Sequence, residues 1–123
     1  MIVYCCQDLL FATKIRSTAE SMGIPTRPAR HAESLDHRLH QVDDGKLNDP
    51  VTAVIIDLEM GQLGLTLLAQ TKAHNPDIPV VVFGSHVKVD DLQVAHDRGA
   101  DFVMPRSRFS ASLPSILERL EVL

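Results

Sequence analysis

A strand-like run that stops on a carboxylate constrains this chain more than any other feature. Val54, Ile55 and Ile56 are consecutive β-branched residues, with Asp57 directly after them. Such a run is the pattern of a strand covered on both faces in the middle of a parallel sheet. In open α/β sheets the loops part at the C-terminal ends of the strands and leave a crevice where ligands bind. Asp57 is therefore a candidate working residue. The alternative is that it only ends the strand or caps a turn.

The rest of the chain alternates around that strand. Met1–Cys6 reads as a short buried strand, and Asp8 is a fair N-cap for a helix carrying Phe11, Ile15, Ala19 and Met22, with Gly23 as its C-terminal stop. Ile24–Ala29 is a weaker strand, placed at an edge or made irregular by Pro25 and Pro28. Ala32–Val42 follows as a polar helix striped by Leu35, Leu39 and Val42, and residues 43–50 as a solvated loop. After Asp57, Gly61 and Gly64 mark a flexible loop before a helix over Leu65–Asn75 anchored by Leu65 and Leu68. Ile78–Phe83 is the second strong buried strand, ending on Gly84 and Ser85. A helix over Asp90–Arg98, a fifth strand over Asp101–Met104, a loop at Pro105–Ser107 and a last helix with Leu113, Ile116, Leu117 and Leu120 complete the series. Strand–helix alternation of this kind implies an α/β fold, a doubly wound five-stranded parallel sheet with helices on both faces.

Composition sets the outer limits. A chain of 123 residues, 45% hydrophobic and 23% charged, suits one domain (1–123) with a packed core. Four Phe, one Tyr and no Trp make that core aliphatic. A net charge of -4 with scattered basic residues argues against nucleic acid as the partner. No apolar run approaches the ~20 residues that span a bilayer, and no signal-peptide pattern opens the chain. Two adjacent cysteines make no disulfide framework, so a reducing, cytoplasmic setting is expected.

Taken in this order, Val54–Met60, Asn75–Val82 and Gly99-Ala100-Asp101 resemble the motifs of response regulator receiver domains over nearly the whole chain. Pro105-Arg106-Ser107 resembles the Pro-Lys-Ser version of the family's lysine loop. The resemblance implies a flavodoxin-like receiver fold, a role in two-component phosphorelay signalling rather than an enzyme activity, and Asp57 as phosphoacceptor. Arg106 takes the place of the lysine, with the charge kept. It further implies a histidine kinase or another signalling protein as partner, with a homodimer as a further option.

The departures from that pattern change the expected chemistry. Counting back from Gly23, the two acidic positions that hold magnesium in receivers are Cys6 and Gln7, with Asp8 one step beyond. Gly84, beside Ser85, stands where a hydroxyl residue belongs, and Val103, beside Phe102, where the switch aromatic belongs. The loop after Asp57 reads Met60-Gly61 in place of Met-Pro and is one residue short. Magnesium demands hard oxygen ligands, and a thiol beside a carboxamide makes a poor site. The expectation is a degenerate pseudo-receiver that works by protein contact, without a cofactor, and with Asp57 paired to Arg106 on neighbouring strands. The alternative is a working phosphoacceptor, and a third reading is a redox sensor at Cys6. An apolar patch around Val103 and the outer helix faces is the expected contact surface.

Other signals carry less. Cys5 and Cys6 point to opposite faces of a strand and suit small buried hydrophobes. His37 and His40 lack a third metal ligand, and His31, His74, His86 and His96 are isolated. Asp43-Asp44 reads as a turn, and Gly61 with Gly64 makes no dinucleotide fingerprint.

Overall fold

The computed structural model describes residues 1–43, 46–47, 49–85 and 89–122. Along the chain run β1 (Ile2–Cys5), α1 (Leu9–Ser21), β2 (Thr26–Pro28), α2 (Ala32–Leu39), β3 (Val42–Asp43), β4 (Lys46–Leu47) and β5 (Ala53–Asp57). A 3-10 turn (Leu58–Met60), α3 (Gln62–His74), β6 (Val80–Gly84), α4 (Val89–Asp97), β7 (Phe102–Pro105), α5 (Arg106–Ala111) and α6 (Leu113–Val122) follow. Five strands form one sheet in the order β2-β1-β5-β6-β7, and every pairing is parallel. This is the doubly wound sheet expected from the alternation.

Alternation along each strand divides the core in two. Val3, Cys5, Val54, Ile56, Val80 and Val82 meet Leu35, Leu39, Leu67, Leu68 and Ala95 from α2, α3 and α4. Ile2, Tyr4, Ile55, Val81 and Phe83 meet Ile15, Ala19, Phe109, Leu113, Leu117 and Leu120 from α1, α5 and α6. Cys5 and Cys6 fall on opposite faces, both buried and free. Each of the central strands β1, β5 and β6 is buried throughout, which is why their sequences lack a polar face.

The structure departs from the sequence reading in several places. Val42 leaves the helical stripe: α2 ends at Leu39, and Gln41 takes a positive φ of 60° that turns the chain into a two-stranded antiparallel ribbon, Val42 opposite Leu47 and Asp43 opposite Lys46. The expected 43–50 loop is therefore partly strand. Its Asp44, Gly45 and Asn48 lie outside the described residues, as does His86. Helix α3 starts at Gln62, three residues earlier than the apolar spacing suggested, so Gly64 is helical and not loop. A Cβ on Gly64 would stand 3.4 Å from the Asp57 carbonyl oxygen and from Ile56, ordinary contact, so the helix lies against β5 with room for a methyl group at that position. Arg106 opens a helix instead of sitting in a loop. Finally, β5 and β7 are not neighbours: β6 lies between them, and Asp57 and Arg106 meet across its end.

Candidate functional site

Asp57 is the last residue of β5, in register with Cys5–Ile56 on one side and Asp57–Phe83 on the other. Its residue is 1% exposed, an unusual burial for a carboxylate, and both oxygens are engaged. Oδ1 accepts the Glu59 N–H at 3.0 Å, which caps the 3-10 turn. The Arg106 Nη2 donates to both oxygens, at 2.8 Å to Oδ1 and 2.7 Å to Oδ2. Cys6 Sγ lies 3.5 Å from Oδ2 and 3.5 Å from the Asp8 carbonyl oxygen, as a weak donor.

The guanidinium is held from several sides. Its Cζ stands 4.8 Å from the Phe11 ring centroid and 5.3 Å from that of Phe83, and Nη1 is 4.0 Å from Asp8 Oδ2. Phe83 stacks on Phe109 at 4.2 Å with an interplanar angle of 7°, and Phe11 stacks on both. Three of the chain's four Phe thus build a platform under one arginine, placed there by β6, α1 and α5. Cation–π attraction of this kind strengthens as the cation is withdrawn from water.

Asp8 does two jobs at once. Its Oδ1 accepts from the backbone N–H of Leu10 and Phe11, as the N-cap reading required, while Oδ2 faces Arg106. Gln7 is exposed. Burial, reinforced by the neighbouring Asp57 charge, pushes the Cys6 thiol up to about 12, and burial does the same for Cys5. At neutral pH Cys6, directly after β1, therefore presents a protonated thiol to Asp57.

The other sequence-selected positions surround this pair without joining it. Gly84 ends β6 opposite Pro105, and a Cβ there would stand 3.2 Å from Leu58 Cβ, so Leu58 fills the space of a larger residue at 84. Ser85 lines a shallow cavity of about 470 Å³ with Phe11, Glu59, Arg106, Ser107 and Ser110. Lys14 Nζ reaches the Ser110 hydroxyl at its rim. Val103 is half-buried and packs toward α4, while Phe102 and Met104 face the opposite layer. Val103 itself offers only part of its surface, while exposed apolar residues stand on the neighbouring helices α4 and α6. The large apolar residues that are exposed among those described are Leu9, Leu10, Val89 and Val122.

Sequence reasoning found Asp57, Arg106, Cys6 and Asp8 but missed Phe11, Phe83 and Phe109. A signal was present: Phe11 is three residues past Asp8, Phe109 three past Arg106, and Phe83 immediately before Gly84. Elsewhere, His40 Nδ1 lies 2.9 Å from the Asp36 carbonyl and its ring meets His74 edge-on at 4.9 Å. No group of three His, Cys, Asp or Glu side chains is placed to hold a metal ion among the described residues.

The all-parallel sheet in the order β2-β1-β5-β6-β7 is the fold of solved response regulator receiver domains. Solved receivers share it over nearly full length. The receiver domain of NtrX from Brucella abortus superposes with a TM-score of 0.78 at 22% identity, covering 98% of this chain and 97% of that one. A response regulator from Thermotoga maritima gives 0.77 at 15% identity, over 99% and 97%. The phosphorylated cyanobacterial phytochrome response regulator RcpA gives 0.75 at 18% identity, over 98% and 89%. No sequence model of a known family matches the chain, and no curated protein matches it. No helix among the described residues is long and apolar enough to cross a membrane.

Proposed function

We propose that this chain is a signalling module of the receiver type that acts by protein contact, with its aspartate pocket closed by an internal arginine. One observation carries this reading: both Asp57 oxygens already accept from Arg106, while the residue directly after β1, Cys6, faces them with a protonated thiol. A magnesium ion here would need oxygen ligands where Cys6 and the guanidinium stand, and these residues do not fit it. Without a metal to neutralise phosphoryl oxygens, transfer to a carboxylate lacks several kcal/mol of its usual stabilisation. The absence of a side chain at Gly84 and of an aromatic at Val103 leaves no hydroxyl–aromatic switch. The domain is then a binding partner and not an enzyme.

Another signalling protein, a histidine kinase or one of its relatives, is the partner this reading favours. Leu9, Leu10 and Val89 support contact at the sheet's C-terminal edge. They are 64%, 87% and 65% exposed and stand at the starts of α1 and α4, around the Asp57 end of the strands.

A second reading keeps Asp57 as a phosphoacceptor. The 470 Å³ cavity beside Arg106, lined by three serines, favours it by offering room for an anion. Intact-mass measurement after incubation with acetyl phosphate and magnesium separates the two, comparing the native chain with Asp57→Asn. No Asp57-dependent gain of a phosphoryl group is expected. A gain in the native chain that Asp57→Asn abolishes establishes the second reading in its place.

A further inference from the structure

Helices α5 and α6 are almost one helix. The backbone N–H of Ser112 donates to Arg108 and that of Ile116 to Ser112, so the four-residue periodicity runs through the break between them. Arg108, Ser112, Ile116 and Arg119 consequently line up along one face, and that face lies over the outermost strand β7. Between them is a cleft of about 170 Å³, with Phe102, Met104 and Ile116 at its base and Arg108 and Arg119 at its mouth.

Three properties of the cleft point the same way. Its base is formed by half-buried apolar side chains, which leave apolar surface facing the opening. Neither arginine is in an ion pair among the described residues; Arg119 only stacks on Phe102, with Cζ 5.1 Å from the ring centroid. Finally, no acidic side chain lines the space, although the chain as a whole is acidic. A guanidinium pair over an apolar base is complementary to a ligand with an apolar body and a charged oxyanion head, since the arginine fork matches a carboxylate. The cleft is smaller than the ~300–1,000 Å³ of sites for drug-sized molecules, so the ligand is small.

We propose that this cleft between β7 and the α5–α6 face is a binding site for a small apolar-bodied carboxylate, an aryl or short alkyl acid. The acid head pairs with Arg108 and Arg119 and the apolar body rests on Phe102, Met104 and Ile116. The site is separate from Asp57, and it stands whether or not Asp57 accepts a phosphoryl group.

The test is a titration of the full chain by two-dimensional amide NMR, with 4-phenylbutyrate as probe and its uncharged amide as control. Shifts are expected to centre on Phe102, Met104 and Arg119, with the acid binding about tenfold more tightly than the amide. The double variant R108S/R119S is expected to lose that preference. Both positions are exposed, so its thermal melt serves as the check on folding, and the single variant R108S gives the same reading if the double unfolds. Equal binding of acid and amide overturns the proposal. So do shifts centred on Arg106, or shifts that track protein concentration without the probe, which would make the cleft an interface between copies.

Discussion

At the scale of single residues, Arg106 is a cation placed to serve a carboxylate that is otherwise cut off from water. Removing it leaves Asp57 charged, buried and short of its main donor. Arg106→Ala is expected to cost about 3 kcal/mol, the usual penalty for stranding one half of a buried pair. Asp57→Asn is expected to cost only about 1 kcal/mol, because a carboxamide oxygen still accepts from Glu59 and Arg106, 27% exposed, keeps its aromatic platform and some water. Urea unfolding of the two single variants and the double closes the cycle; strict additivity would show that the pair is not coupled.

The two thiols give a separate signature. Both are held near 12 in the fold, against an ordinary value of 9.0. Between these values the unfolded chain has released protons that the folded chain still holds, so stability is full below pH 9 and declines as pH rises toward 12. Unfolding across pH 8 to 11 is expected to show this decline, and the C5A/C6A double variant to flatten it. An unchanged alkaline limb in the double variant would assign the decline to other groups.

At the scale of elements, the two glycines after Asp57 do opposite work. Gly61 holds a φ of 67° with a ψ of -138°, a combination that essentially only glycine adopts, so Gly61→Ala is expected to destabilise by about 1–3 kcal/mol. Gly64 is helical without a positive φ, and a methyl group there reaches only ordinary contact at 3.4 Å. Gly64→Ala is expected to be neutral or to gain about 0.5–1 kcal/mol in helix propensity, as thermal melts of both variants would show.

Gly64 belongs to the helix although the apolar spacing begins only at Leu65, because such spacing shows where apolar residues recur and not where the first turn starts. Val42 was misplaced for the reverse reason: it fits the helical stripe, but Gln41 turns the chain before it. The buried strands were legible because a strand covered on both faces has no polar positions to blur the pattern. The arginine–aromatic cluster is only half legible: each Phe lies close in sequence to a polar candidate, but α1, β6 and α5 come from three distant stretches, and none of those spacings records that the rings meet.

At the scale of the whole molecule, the strand order ranks local stability. β1, β5 and β6 are central and fully buried, whereas β2 and β7 are outermost and partly exposed. Amide hydrogen exchange is expected to be slowest in the three central strands and faster in the outer two. On the closed-pocket reading, adding acetyl phosphate and magnesium leaves that pattern unchanged at β7 and α5. New protection there would contradict a closed pocket.

Proline placement in the two outermost strands has a consequence for how copies of this chain behave when crowded. A sheet that ends in an open strand presents a row of unused amide and carbonyl groups, a template on which another chain can extend the ladder. Here β2 is three residues long and includes Pro28, and β7 is four residues long and ends on Pro105. Pro28 turns its missing amide hydrogen outward, because Pro25 and Ala29 bond to β1, whereas Pro105 shares the direction of Asp101 and faces β6. Strand-to-strand addition, the route to fibrils and swapped sheets, is thus opposed at β2 by a proline and short length, and at β7 by short length alone.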